Sequence, residues 1–441
     1  MLEWSQFFVE VNVHMKKKLF ALLLAAALTV CAVPAQALTG EGVRAAQTLS
    51  ALNVARGAYN VNDPATRAQA AVILVRLAGA EQAAAADKTH IPFRDVPAYA
   101  VQSVRYAYGR GWLTGVTGDR FGASEAISTQ SYCAALGRML GYTTDDFSYE
   151  NAVSFARHMA LTSRDYGETL TRGDLFELTA GALYARYKDG GTTVLEHLCA
   201  VSPAAAAGAE RLGLNGPDLT IRQAADRFTA AVFQLTTFED ASGFDPDEPD
   251  GTASGFFITR DGLAVTNYHA IDGCSAAYAT LVSGERYPIE KVVYYDAGID
   301  IAVLRVSRTG MDGVKTPGFV WLDTAARDTL RVGDVVYTIG SPLGLGLAVS
   351  SGIISDTSRV VDRYDAPCIM STADISRGSS GGALLNEYGQ AIGVTSGAFT
   401  YGNNMYLAVA IDPVLSADLT AEGQTMAQVR EYETNRAKNA A

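Results

Sequence analysis

Three side chains in the second half of this chain have the types, and stand in the order, needed to turn a hydroxyl into a nucleophile. Residues 375–386 read ISRGSSGGALLN, two adjacent serines set between glycines ahead of an apolar run. A serine hydroxyl attacks poorly until a neighbouring base takes its proton, and a carboxylate must orient that base. Of the five histidines, His269 alone falls in the strand-rich half, directly after GLAVTNY. Asp300 then opens the apolar stretch DIAVLRV. A glycine-flanked serine, a histidine after a strand and an aspartate at a turn each have an ordinary structural reading. Together, in this order, they point to nucleophilic catalysis.

In RGSSGG the pattern Gly-x-Ser-Gly-Gly fits Ser380 as the nucleophile, with Ser379 as spacer. Gly378 then stands two residues earlier, so the backbone N–H groups of Gly378 and Ser380 can converge on one developing oxyanion. Were Ser379 the nucleophile, Arg377 would fall where a glycine is wanted. The order His, Asp, Ser is that of chymotrypsin-like enzymes and not of α/β-hydrolases or subtilisins. This chemistry requires no metal and no cofactor.

The elements that must carry these residues divide the chain in two. With 441 residues there is room for two or three domains, and a hydrophobic share of 48% excludes a largely disordered chain. The formal net charge of −12 offers no overall basic footprint for nucleic acid. From about residue 225, short β-prone runs such as AAVFQLTTF, GFFITRDGLAVTNYH, VVYTIG and AIGVTSGAF alternate with Gly- and Asp-containing turns. That spacing suggests a barrel or sandwich. Residues 38–190 read as helical. DPATRAQAAVILVRLAG has Thr66 as an N-cap with Gln69 three residues on, ISTQSYCAALGRMLG repeats the plan from Ser128, and LTRGDLFELTAG repeats it from Thr171 and Asp174. Three capped helices of one design suggest an unevenly spaced internal repeat.

These segments resemble two known families. GTASGFFITRDGLAVTNYHAI, DIAVLRV, GDVVYTIGSPLGLGLAVSSGIIS and STADISRGSSGGALLNEYGQAIGV look like the successive motifs of the HtrA/DegP-like serine proteases, over residues 225–415. The resemblance implies two six-stranded antiparallel barrels with His269, Asp300 and Ser380 as the triad between them. FRDVPAYAVQSVRYAYGRGWLTGVTGDRFGASEAIST and the Thr66-Arg67 and Thr171-Arg172 pairs resemble the S-layer homology (SLH) repeat. That resemblance implies a three-repeat α-helical module binding secondary cell-wall polysaccharide, with Arg67 and Arg172 on an acidic sugar substituent and Trp112 stacked on a ring. The competing reading makes both arginines solvated first-turn residues and Trp112 core. Departures from the protease family are Ser376-Arg377 for the usual Asn-Pro, Tyr268 for the common Asn, and no sequence after residue 415 sufficient for a PDZ module.

The remaining expectations concern boundaries and specificity. Lys16, Lys17 and Lys18 ahead of the apolar run Leu19–Val33, then Ala35-Gln36-Ala37, read as a secretory signal peptide over 1–37, with Met15 as the true start. Residues 191–224 read as an Ala- and Gly-containing linker and 416–441 as a polar tail. The acidic DPDEPDG at 245–251 reads as a solvated loop rather than a calcium site. Cys274 and Cys368 leave two readings open, a bridge or buried free thiols. Asp374, six residues before Ser380, stands where trypsin-type enzymes select Lys or Arg, whereas Ile375 matches relatives preferring small apolar side chains. The smaller, apolar preference is the expectation. The reading is a secreted serine endopeptidase held on a bacterial cell wall, acting on protein or peptide substrates. Its rival is a proteolytically silent protease fold whose main role is wall attachment.

Overall fold

Helix gives way to strand near residue 230, and the two regions pack against each other. The computed structural model describes residues 35–57, 60–214, 219–240, 249–341, 346–398 and 404–440. Residues 1–34 of the expected signal peptide and most of the acidic 245–251 loop therefore lie outside the described residues. Among the described residues, no helix is long and apolar enough to cross a membrane.

The helical region contains α1 (Ala35–Ala51), α2 (Arg67–Leu77), α3 (Glu81–Ala86), α4 (Val101–Gly109), α5 (Thr129–Met139), α6 (Ala152–His158) and α7 (Arg172–Gly181). Three of these start at the expected caps. Thr66 and Thr171 form full capping boxes with Gln69 and Asp174, and the Ser128 side chain accepts from Ser131 N–H. The three cap segments meet at one centre. Ala65 N–H donates to Leu170 O at 2.9 Å, Leu170 N–H to Ile127 O at 3.1 Å, and Ile127 N–H to Ala65 O at 2.9 Å. This closed ring of three bonds gives the uneven repeat a pseudo-threefold axis. Around it, α4 packs on α2, α6 on α5, and α1 closes the ring on α7.

The expected linker is helical instead. It forms α8 (Val194–Val201) and α9 (Pro203–Arg211), whose Leu195, Leu198, Ala205 and Ala209 join the helical core, and then α10 (Ile221–Phe228). Pro203 does not break the chain here, because it occupies the first turn of α9 behind a Ser202 cap, where its missing N–H costs nothing.

Twelve strands follow. The first barrel comprises β1 (Val232–Phe238), β2 (Gly251–Phe257), β3 (Leu263–Thr266), β4 (Ala276–Thr280), β5 (Arg286–Asp296) and β6 (Ile301–Val306), closed in the order β1-β2-β3-β6-β5-β4. The second comprises β7 (Val335–Gly340), β8 (Ala348–Arg359), β9 (Cys368–Ser371), β10 (Ala383–Leu385), β11 (Ala391–Ala398) and β12 (Tyr406–Ala410). Read from β7, its order is β7-β8-β9-β12-β11-β10, the same topology again. This is the architecture of a chymotrypsin-like double barrel, with all strand pairs antiparallel.

Two short helices complete the chain, α11 (Asp412–Ser416) and α12 (Met426–Ala440). The polar tail is part of the first barrel's packing. Met426 and Val429 are buried in its core, Gln424 bridges Val292, and Tyr295 donates to Glu433 at 2.9 Å. The helical region is tied to the same barrel by His158, at the end of α6. Its Nδ1 faces Glu285 Oε2 at 2.6 Å and its Nε2 faces Gly318 O at 2.7 Å.

Candidate active site

Strand register brings His269 and Asp300 together. β3 and β6 are antiparallel neighbours, with Thr266 opposite Ala302. Continuing that register past the end of β3 puts position 268 opposite Asp300, so His269, three residues past β3, and Asp300, immediately before β6, must meet. They do. His269 Nδ1 lies 2.8 Å from Asp300 Oδ2 and 3.0 Å from Oδ1, and the His269 backbone N–H donates to Oδ1 at 2.9 Å. Asp300 is buried and its backbone is left-handed, with φ +64°. Non-glycine residues adopt that region when the surroundings impose it. Here Asn267 Nδ2 grips the Asp300 carbonyl at 2.9 Å.

Burial works to raise the Asp300 pKa, but the bond and charge of the His269 ring, the Ser396 hydroxyl and the His269 backbone N–H outweigh it. The carboxyl is held below its usual range. It is therefore an anion at neutral pH, aimed at an imidazole whose ring is partly open to solvent.

Ser380 arrives from the second barrel on the loop between β9 and β10. The turn closes from Ser379 N–H to Ser376 O at 2.9 Å, with Gly378 at φ +88° in its third position, and Ser376 N–H donates back to Ser379 Oγ at 3.4 Å. A positive φ at that place is the mark of a type II turn and calls for glycine. Gly378 N–H and Ser380 N–H donate to no backbone acceptor among the described residues. The loop is pinned across the barrels by β2, where Ser254 N–H donates to Ser380 O at 2.7 Å and Ser254 Oγ donates to Gly378 O at 2.7 Å. Gly381 permits this approach, since a Cβ there would lie 2.0 Å from Ser254 O.

The two serines of the motif differ in setting. Ser379 is buried at 7% exposure, whereas Ser380 is only partly covered. The Ser380 hydroxyl donates to Ser396 O at 3.2 Å, and Ser396 Oγ donates to Asp300 Oδ2 at 2.6 Å. In this structure Ser380 and His269 are thus joined through Ser396 and Asp300 and not by a direct hydrogen bond. Ser396 was absent from the sequence reading, as were Asn267 and Ser254. It sits at a β-bulge between Thr395 and Gly397 of β11, where the extra residue re-aims its side chain.

Asp374 and Ile375 line a cavity of about 240 Å3 beside this loop, with Thr338, Gly340, Ser350 and Ser379. Asp374 is exposed, and a hydrogen bond to its carboxylate raises the Tyr406 pKa. A larger cavity of about 600 Å3 lies elsewhere, between Tyr184 and Glu196 of the helical region and Trp321 and Tyr388 of the barrels, and includes none of His269, Asp300 and Ser380. Cys274 and Cys368 are buried free thiols.

The expected glycan residues separate. Arg67 is buried, with Nε donating to Phe121 O at 2.9 Å and a terminal nitrogen to Thr114 O at 2.5 Å, and Trp112 is buried with its edge on Tyr106. Their burial and these partners are what the competing, structural reading of the two residues expects. Arg172 instead lines a groove of about 260 Å3 with Arg56, Arg76, Gln69 and Tyr99. One terminal nitrogen lies 3.5 Å from Asp63, and its Nε has no partner among the described residues.

Comparison with known proteins gives this geometry a relative. Residues 253–394 match the family model described as a trypsin-like peptidase domain. The matched stretch contains His269, Asp300 and Ser380. A probable periplasmic serine endoprotease, DegP-like, from Rhizobium meliloti is 36% identical over 174 residues, covering 39% of this chain and 33% of its own length. A probable serine protease do-like from Buchnera aphidicola is 35% identical over 185 residues, 41% of this chain and 37% of its own. The chain spans about a third of the length of these curated relatives. A solved HtrA-type protease with tripeptide aligns over 45% of this chain and 62% of its own at 26% identity and TM-score 0.39. The barrel topology, not that superposition, carries the fold assignment. The β-rich half is similar to the protease domain of HtrA- and DegP-like serine endoproteases.

Proposed function

We propose that this protein is a serine endopeptidase that works outside the cytoplasm and is held at a bacterial cell wall by its helical region. The observation that carries the catalytic part is the buried, ionised Asp300 bonded to His269 and joined through Ser396 to Ser380, at the meeting of two closed barrels. Rotation about the Ser380 side chain lets its hydroxyl leave the Ser396 carbonyl for His269. His269 then takes the proton as Ser380 Oγ attacks the peptide carbonyl, and Asp300 stabilises the imidazolium. Gly378 and Ser380 N–H groups receive the oxyanion. The proton passes from His269 to the leaving amine, an acyl-enzyme remains, and water activated by the same base releases the acid.

The substrates are unfolded or flexible protein segments with small apolar P1 residues. In the test, the purified chain is incubated with an unfolded protein, and fragments are resolved beside Ser380→Ala. Fragments that persist in the variant refute the assignment. Wall attachment rests on the threefold cap arrangement and on the arginine-lined groove around Arg172, which suits an acidic sugar substituent. The chain is expected to sediment with purified wall polysaccharide, and failure to do so removes the anchor. One observation favours the rival reading of a silent protease fold that binds walls. The Ser380 hydroxyl is directed at the Ser396 carbonyl and not at His269.

A further inference from the structure

Ser396 touches both ends of the proposed machinery, its hydroxyl on Asp300 and its carbonyl on Ser380, so whatever fixes Ser396 fixes the relation between them. A serine hydroxyl has one proton. That proton goes to Asp300 Oδ2 at 2.6 Å. The second close partner of Ser396 Oγ is the Tyr364 hydroxyl at 2.9 Å. With the Ser396 proton committed to the carboxylate, the phenol must donate. The chain of bonds therefore runs Tyr364 O–H to Ser396 Oγ–H to Asp300 Oδ2, in one direction only.

The placement of Tyr364 is built, not incidental. It is buried at 7% exposure, on the loop joining β8 to β9 in the second barrel. The next residue binds the other barrel, Asp365 N–H donating to Gly298 O at 2.8 Å in the turn that leads into Asp300. That approach needs a glycine, since a Cβ on Gly298 would lie 2.2 Å from Asp365 Oδ2. The loop thus holds the Asp300 turn by its backbone, and the Asp300 carboxylate through the Tyr364 hydroxyl.

We infer that Tyr364 is a positioning residue for the reaction, acting through Ser396 to hold the Asp300 carboxylate against His269 across the two barrels. The inference rests on the endopeptidase reading. Tyr364 touches neither substrate nor reacting atoms. Its donation keeps the Ser396 proton on Asp300 and away from other acceptors, and polarises that bond.

The test uses the full chain as parent, Tyr364→Phe, Ser396→Ala and the double variant. The rate of labelling by a fluorophosphonate is measured together with the melting temperature. Tyr364→Phe is expected to slow labelling about threefold to tenfold, and Ser396→Ala more. The decisive result is non-additivity, with the double variant labelling at the rate of Ser396→Ala alone. A purely structural tyrosine would lower the melting temperature and slow both backgrounds by the same factor, which would overturn the inference. Labelling of Tyr364→Phe at the parent rate would overturn it too, while leaving the endopeptidase reading in place. A parent that takes no label removes that reading, and the role of Tyr364 with it.

Discussion

Asp300 in the barrels and Arg67 in the helical region are both charged and similarly buried, at 6% and 8% exposure, yet they do different things. Asp300 is bonded to an imidazole and a hydroxyl, groups that hold and move protons. The mapped bonds of Arg67 end on the carbonyls of Phe121 and Thr114, which fasten a loop to a helix start. Burial lowers the Arg67 pKa, opposed by the charges of Glu125, Tyr149 and Asp95, and the side chain stays a structural cation. A buried charge marks a position where the fold has spent stability. The partners decide whether that position is chemistry or carpentry.

The first prediction strikes the barrel side of this comparison. Asp300→Asn keeps the shape but loses the charge and favours the wrong imidazole tautomer, so kcat falls by about 10^4-fold. Its effect on stability has a definite sign. The folded-state pKa of Asp300 is depressed, so its contribution is full above the unfolded value of about 3.9. It is lost as pH falls through the lower folded value. Acid unfolding of Asp300→Asn should therefore show a weaker pH dependence than the parent below about pH 4, followed by circular dichroism.

Arg67→Ala makes the opposite test. It should cost about 3 kcal/mol by leaving two carbonyls unpaired, read as a lower denaturant midpoint, with the rate of proteolysis by the intact fraction unchanged. His158→Ala comes next, at about 2 kcal/mol. It removes one partner of Glu285 and one of the Gly318 carbonyl, and limited digestion should then cut more readily between the helical region and the first barrel. Arg172→Ala should weaken wall sedimentation about tenfold with little change in melting temperature. If Arg67→Ala abolished wall binding without destabilising the chain, the division between structural and ligand-facing arginines would fail. The smallest effect is expected at Ser379→Ala, within about threefold of the parent turnover rate.

How much of this was legible in the sequence follows the same division. His269, Asp300 and Ser380 could be read because nucleophilic catalysis demands particular residue types in a limited number of orders; a strand pair then joins His269 to Asp300, and a loop of the second barrel brings Ser380 to them. The helix starts at Thr66, Ser128 and Thr171 were legible because capping is local chemistry. Ser396, Tyr364 and Asn267 were not. Their roles depend on a bulge in β11, a loop crossing between barrels and a left-handed residue, none of which leaves a local signature. The burial of Arg67 was not legible because a Thr-Arg pair looks the same whether its guanidinium faces a sugar or the next repeat. The helices in 191–224 were missed because a stretch rich in Ala and Gly with a proline looks like a connection, and only its place behind the Ser202 cap shows that Pro203 opens a helix.

The central claim is that Ser380 is a nucleophile activated by His269 and Asp300. The most direct measurement is fluorophosphonate labelling of the full chain followed by peptide mapping, with Ser380→Ala and Ser379→Ala alongside. The account predicts one modified residue, Ser380, with labelling lost in Ser380→Ala and kept in Ser379→Ala. Label on Ser379, or label that survives Ser380→Ala, would contradict it.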